Sequence, residues 1–327
     1  MEGKFLYLDR EAVKKYLRPE DVINAVKGLW SHWKDGSVRE GDHAFLPAGD
    51  ETGNEFLHIG ACLNMEGILG FKWINIYRNP APGYPFSHGN IVVVNDIRTG
   101  ALRAIVSADD ITAMRTAGGH GVVSARYLAK DKVRTLSVIG SGSQAVQGIR
   151  GFLTDFKELE CIRVNCRRKE RFQEIREMFG DKVPLVHMED IREAVRNADV
   201  ILTATNSKDI LLRCDDIEKG TTVIALDGFI DVDPELSRRA DKWFVGNLDT
   251  DRKEIVDSKE MSHGFELRHE DIIGEVADVI TGRLPGRESD DEIIVCTHMG
   301  SGTYDVACAF EVYKKALEAG DGLELRL

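Results

Sequence analysis

The 327-residue sequence predicts an α/β fold in which a doubly wound parallel sheet follows a domain rich in antiparallel strands. Three observations carry that prediction. From Thr135 onward, short apolar runs alternate with helix-length segments, the pattern of a parallel sheet covered on both faces. Between about residues 40 and 107, strand candidates follow one another with turns rather than helices between them. The length also accommodates two cores at roughly 150 residues per domain.

In the first part the strand candidates are 56–59, 70–76, 91–94 and 101–106. The last two flank the turn-forming stretch 95–100, which makes them a hairpin. Ser107 with Asp110 three residues later has the Ser-x-x-acid capping pattern. Ile111, Met114, Val122, Ala125 and Leu128 keep helical spacing behind it, so a helix is expected over 107–129. In the second part, strands are expected at 135–139, 161–165, 183–186, 200–204, 222–226 and 243–245, with helices at 143–155, 168–179 and 191–197. A strand at 293–295 and a Gly300-Ser301-Gly302 turn then lead into a helix with Val306, Phe310, Tyr313 and Leu317 on one face. Periodicity leaves open whether this last segment caps the second part or returns to the first.

Composition narrows the function. A net charge of −12 argues against an electrostatic hold on nucleic acid or anionic lipid, although a local basic pocket for a phosphorylated ligand remains compatible with it. The first residues carry charges of both signs without an apolar leader, and no stretch reaches the roughly 18–20 apolar residues needed to cross a bilayer. Six dispersed cysteines without a C-x-x-C pair read as reduced thiols of a cytoplasmic protein, and the scattered histidines give no metal-ligand spacing.

The strand candidate 135–139 runs directly into Gly140-Ser141-Gly142-Ser143-Gln144-Ala145, a G-x-G-x-x-A sequence. Gly140 permits the tight turn, Gly142 presents no side chain to a pyrophosphate, and Ala145 lets the helix lie close to the strand. The helix N-terminus then offers free N–H groups to the phosphates. An apolar strand before it and a helix after it supply the context that a dinucleotide-binding Rossmann turn requires. NAD sites commonly carry an acid at the end of the second strand. Here that region reads Asn165-Cys166-Arg167-Arg168-Lys169. Arginine pairs with a 2′-phosphate through two hydrogen bonds, so Arg167 and Arg168 favour NADP(H), with NAD the other option and a solvated basic helix start the bland one. Thr205, just past the strand candidate 200–204, is counted with the cofactor-facing residues.

Several motifs resemble the ornithine cyclodeaminase/μ-crystallin family. They are Gly70-Phe71-Lys72-Trp73, Asn79-Pro80, Met114-Arg115-Thr116-Ala117, the glycine turn, Gly274-Glu275-Val276, the run from Gly282 to Arg287, and the run from Gly300 to Asp305. The resemblance implies a Rossmann domain at 130–296 inserted into an α+β substrate-binding and dimerisation domain formed by 1–129 and 297–327. It also implies a homodimer acting on a small amino or imino acid. The expected activity is an NAD(P)H-dependent oxidoreductase moving hydride between the nicotinamide and the α-carbon of that substrate. A cyclodeaminase with tightly held NAD and a non-catalytic NADPH-dependent binding protein are the alternatives in that family.

Carried over by position, Arg115 matches the arginine that holds the substrate carboxylate, a role suited to a bidentate guanidinium. Lys72 matches an active-site lysine, and burial within its apolar strand would lower its pKa. Ser87 stands where the family has a substrate-contacting threonine. Asp227 matches an aspartate at the carboxyl end of a sheet strand, able to handle the proton or the amine. His43, in Gly41-Asp42-His43-Ala44, is nearest the position of a carboxylate-gripping arginine, and imidazole cannot form the same clamp. Thr116 to Gly121 holds extra glycines that suit close approach by backbone or cofactor, and His120 is either a proton carrier or a packing residue. Tyr77, Arg78, Tyr84, Phe86, His88 and Tyr304 are candidates for the pocket around the substrate side chain.

Overall fold

The computed structural model describes residues 3–49, 53–76, 89–180 and 182–327. Ser87 and Asn79-Pro80 lie outside the described residues, as do Tyr77, Arg78, Tyr84, Phe86 and His88. The chain divides into two compact units, Met1–Arg115 with Ser301–Leu327, and Thr116–Gly300.

The first unit opens with β1 (Lys4–Leu8), α1 (Arg10–Tyr16) and α2 (Pro19–His32), followed by the short strands β2 (Val38–Glu40) and β3 (Ala44–Pro47). The hairpin of β4 (Glu55–Leu63) and β5 (Ile68–Ile76) is longer than the expected strands, because the alternation of Leu57, Ile59, Ala61 and Leu63 continues to Leu63 and buries one face throughout. β6 (Ile91–Asp96) and β7 (Leu102–Ser107) form the expected antiparallel hairpin. The following helix begins differently from its expected cap. Ser107 is used in the ladder opposite Ile91, so α3 (Asp109–Ala113) starts after Ala108 with no side-chain cap. Met114–Gly121 is then wound as a π-helix, a rare form that is frequent at functional sites.

In the second unit, α4 (Val122–Leu128) leads to β8 (Thr135–Ile139), α5 (Ser143–Asp155), β9 (Cys161–Asn165), α6 (Lys169–Phe179), β10 (Leu185–Met188), α7 (Ile191–Val195) and β11 (Val200–Thr203). β10 starts two residues later than expected, since Pro184 has no N–H to give a ladder. Then come β12 (Thr222–Ala225), α8 (Leu236–Arg239), β13 (Lys242–Val245), α9 (Leu248–Asp251), α10 (Lys259–Ser262), β14 (Ile272–Glu275), α11 (Val276–Ile280) and β15 (Ile294–Thr297). All eight strands run parallel in the order β10-β9-β8-β11-β12-β15-β13-β14. The strand order therefore reverses between β8 and β11, where open α/β sheets bind ligands beyond their carboxyl ends. β14 is the strand that four residues with a central glycine, Ile272-Ile273-Gly274-Glu275, did not announce. Ile201, Val223, Phe229, Trp243 and Val295 share one core, and Trp243 Nε1 donates to the Thr297 hydroxyl at 2.8 Å.

The last segment returns to the first unit. α12 (Gly302–Ala319) packs along α2 and β4–β7, and β16 (Leu323–Arg326) pairs antiparallel with β1. The first sheet has the order β16-β1-β7-β6-β5-β4-β2, with β3 on β4 and β1 parallel to β7. The buried stripe of α12 runs through Asp305, Ala309, Val312 and Ala316 together with Val306 and Tyr313, whereas Leu317, expected on that face, is exposed. The sheet face opposite α12 carries half-buried apolar side chains, with Phe56 against Trp73 at 5.1 Å and His58 against Phe71 at 4.9 Å between ring centroids.

Candidate functional site

In the first unit the strand period places Lys72 between Ile59 and Val92 on the covered face of the sheet, fully buried. Its Nζ donates to the Thr112 hydroxyl at 2.8 Å, and that hydroxyl donates to the Ala108 carbonyl at 2.9 Å. Asp305, on the buried stripe of α12, lies 2.7 Å from Lys72 Nζ and 2.9 Å from Arg115 Nε. Both are ion-pair contacts by distance whose angles fall short of hydrogen bonds, and Arg115 Nη1 has no hydrogen-bond acceptor among the described residues. Burial, opposed by Asp305 and reinforced by Arg115, pushes the Lys72 ammonium down to about 8. Two buried cations thus share one carboxylate. A further planar anion would complete this arrangement.

In the second unit the glycine turn follows β8. Gly140 has φ +120°, and a Cβ there would come within 2.2 Å of the Ala204 carbonyl oxygen. At Gly142 a Cβ would meet nothing within 4 Å, so the space beside it is open. Gly142 is also the N-cap of the 13-residue α5, which has neither a side-chain cap nor an acid in its first turn. Open space, a bare helix N-terminus and buried Ala145 fit a pyrophosphate. Ser141, Ser143 and Gln144 occupy this turn, and the Ala117 N–H donates to Gln144 Oε1 at 3.3 Å. Beyond β9, Arg167 and Arg168 are exposed, and Asn165 spends its amide on the carbonyls of Met188 and Glu189.

Asp227 lies two residues past the end of β12, at the carboxyl end of the sheet. Burial first, then Asp231, Glu260 and Glu254, raise its carboxyl to about 6. Thr205 donates to Asp231 Oδ2 at 2.7 Å and Thr203 to its Oδ1 at 3.2 Å. His120 packs on His298 with ring centroids 3.4 Å apart, and burial pushes His298 down to about 3. The glycines after Arg115 serve close backbone approach: a Cβ on Gly118 would sit 3.0 Å from the Gln147 carbonyl oxygen.

The fold thus brings Lys72 and Arg115 together in one cluster and gathers Gly140–Ala145 around one turn. His43 lies 3.8 Å from Glu40, whose Oε2 receives the Ser301 hydroxyl and, at 3.2 Å, the Thr303 N–H. Tyr304 is a core residue packed edge-on against Trp30 at 5.8 Å. Sequence reading gave no role to three residues. Asp305 stands out as the end of the family-like run from Gly300 and as an acid on an otherwise apolar helix stripe, and Asp231 only as an acid among Phe229, Ile230 and Val232. Arg171, whose Nε donates to the Ser141 carbonyl at 2.9 Å, has no signal beyond the basic character of its segment. Among the described residues no group of three or more His, Cys, Asp or Glu could hold a metal, and no helix is long and apolar enough to cross a membrane.

The chain matches the ornithine cyclodeaminase/mu-crystallin family over residues 5–320. It is 28% identical over 274 residues to N-((2S)-2-amino-2-carboxyethyl)-L-glutamate dehydrogenase of Staphylococcus aureus, covering 83% of this chain and 80% of that protein. It is 30% identical over 294 residues to a Delta(1)-pyrroline-2-carboxylate reductase of Bacillus thuringiensis subsp. konkukian, covering 85% and 86%. Among solved structures, an archaeal alanine dehydrogenase dimer with bound NAD superposes with a TM-score of 0.88 at 25% identity, covering 99% of each chain.

Proposed function

Because this chain belongs to the ornithine cyclodeaminase/mu-crystallin family, we propose that it is an NAD(P)-dependent oxidoreductase acting on the CH–NH2 or C=N group of a small amino or imino acid. The observation that carries this reading is the buried cluster in which Lys72 and Arg115 share Asp305 and Arg115 keeps Nη1 without an acceptor among the described residues. Lys72 and Arg115 hold the substrate carboxylate, with Ser87 and His43 as further contacts. Asp227 gives a proton to the imine nitrogen, or takes one from the amine in the reverse direction. When bound, the nicotinamide supplies or accepts the hydride at the α-carbon. The turn from Gly140 to Ala145, with Thr205, holds the dinucleotide. Exposed Arg167 and Arg168, and Asn165 where an acid would serve a ribose, favour NADP(H), although the archaeal relative binds NAD.

The dehydrogenase and reductase activities of the relatives support redox turnover over the cyclodeaminase and ligand-binding alternatives. We assign substrate binding and dimerisation to the first unit and dinucleotide binding to the second. The half-buried apolar sheet face opposite α12 is the proposed contact between two copies, in keeping with the dimeric archaeal relative. The cytoplasm is the proposed compartment, in keeping with six free cysteines. The test is consumption of NADPH and NADH with Δ1-pyrroline-2-carboxylate, Δ1-piperideine-2-carboxylate, and pyruvate with ammonium. Turnover with at least one supports the reading. Failure to bind either dinucleotide in a calorimetric titration removes it.

A further inference from the structure

We propose that Asp305 sets the charge of the carboxylate seat, leaving a single uncompensated positive charge so that the seat takes one carboxylate group and no more. This rests on the reading of Lys72 and Arg115 as carboxylate ligands. Asp305 does not itself touch the substrate in this account; it is a positioning residue that acts through the two cations.

The geometry isolates the cluster. Lys72 is fully buried, Asp305 likewise, and Arg115 is 3% exposed, so neither bulk water nor salt screens their charges effectively. From β4 and β6 the residues facing Lys72 are Ile59 and Val92, which carry no charge. From α3 comes the neutral Thr112 hydroxyl, and from the π-wound stretch Arg115. From α12 come Asp305 and Cys308, and burial holds the Cys308 thiol in its neutral form. Among the described residues, the charge of the seat is therefore decided by Lys72, Arg115 and Asp305. Two cations without Asp305 would repel across a medium of low dielectric, and Lys72, the one able to lose a proton, would lose it. With Asp305 both remain charged, and Asp305 braces the guanidinium through Nε while Nη1 stays available. The arriving carboxylate meets one net positive charge, which it neutralises. A second acid on the same substrate finds no cation left in this cluster.

The test follows binding of pyrrole-2-carboxylate, a planar monocarboxylate, to the full chain loaded with NADH, by calorimetry across pH 6–9 in the wild type and in R115M, K72M, D305N and K72M/D305N. In K72M the remaining Arg115 and Asp305 cancel, and affinity falls about tenfold or more. Removing the acid as well restores one positive charge, so K72M/D305N binds more tightly than K72M. In the wild type, affinity declines as pH rises through about 8, where Lys72 loses its proton. In D305N that decline moves down by about one to three pH units. A double variant no tighter than K72M, or a D305N profile that declines at the wild-type pH, overturns the assignment while leaving the carboxylate seat standing. Should D305N not fold, the double variant still decides, because it buries only one cation. If R115M binds as tightly as the wild type, the seat itself is lost and the charge assignment with it.

Discussion

Arg171 Nε donates to the carbonyl oxygen of Ser141 at 2.9 Å, so the first turn of α6 clasps the glycine turn that follows β8. The same side chain pairs with Glu174 at 2.6 Å, which fixes its direction. Arg167 and Arg168, just ahead of it, carry no such bond and stay exposed. The three arginines therefore divide into one that builds the turn and two that remain available to a 2′-phosphate.

That division gives opposite expectations for two variants. R167A/R168A weakens NADPH binding by about tenfold to a hundredfold, the worth of lost charge-assisted hydrogen bonds, and leaves NADH within about twofold. R171A weakens both cofactors alike. Fluorescence titration of each dinucleotide distinguishes the two patterns.

Gly142 offers a second separation, between folding and binding. A Cβ there meets nothing within 4 Å in the protein itself, so G142V keeps the wild-type melting temperature within about 2 °C, as a surface change does. It nevertheless abolishes dinucleotide binding, because the side chain fills the space left for the pyrophosphate. Thermal melts with and without NADPH report both quantities: the variant melts like the free wild type and gains nothing from the cofactor.

Asp227 predicts the pH dependence of catalysis. Its carboxyl is raised to about 6, chiefly by burial, so the protonated acid is the majority form below that pH and the carboxylate above it. Imine reduction needs the acid and declines as pH rises through about 6, whereas amine oxidation needs the base and grows over the same interval. D227N removes both limbs and lowers kcat by about 10² to 10⁴-fold. Steady-state rates in the two directions across pH 5–8 check the opposing signs.

Phe71-Lys72-Trp73 shows where sequence patterning reads true and where it reads the wrong way round. Binary patterning would bury Phe71 and Trp73 and expose the lysine. The structure instead buries Lys72 beneath α12 and leaves both aromatics half-buried on the opposite face. Burial of the lysine was legible from the resemblance and the apolar strand around it; the partner that makes burial tolerable was not, because Asp305 lies 233 positions away in sequence, as the numbering of their ion pair shows. The β-α alternation after Thr135 was legible for the complementary reason that its strands and helices are set by local periodicity. β14 and β16 escaped because neither has the unbroken apolar run that announces four-residue strands such as β11 and β12: Gly274 interrupts one and Glu324 and Arg326 interrupt the other, and the cap at Ser107 misled because the ladder claimed that residue first.

The aromatics on that half-buried face lead to an oligomeric prediction. W73D places a charge amid Phe56, His58 and Phe71, where pairing with a second copy would have to desolvate it at a cost of several kcal/mol. The wild type is expected to run as a dimer and W73D as a folded monomer in size-exclusion chromatography with light scattering. A W73D protein that stays dimeric moves the contact elsewhere.

The most direct test of the account is a comparison of the wild type with R115M in steady-state turnover and in dinucleotide affinity, using NADPH and Δ1-pyrroline-2-carboxylate or whichever C=N substrate the wild type reduces. Loss of a bidentate, buried carboxylate contact predicts a fall in kcat/KM of about a hundredfold or more with the NADPH dissociation constant unchanged within about twofold. Turnover in R115M equal to that of the wild type would contradict the account.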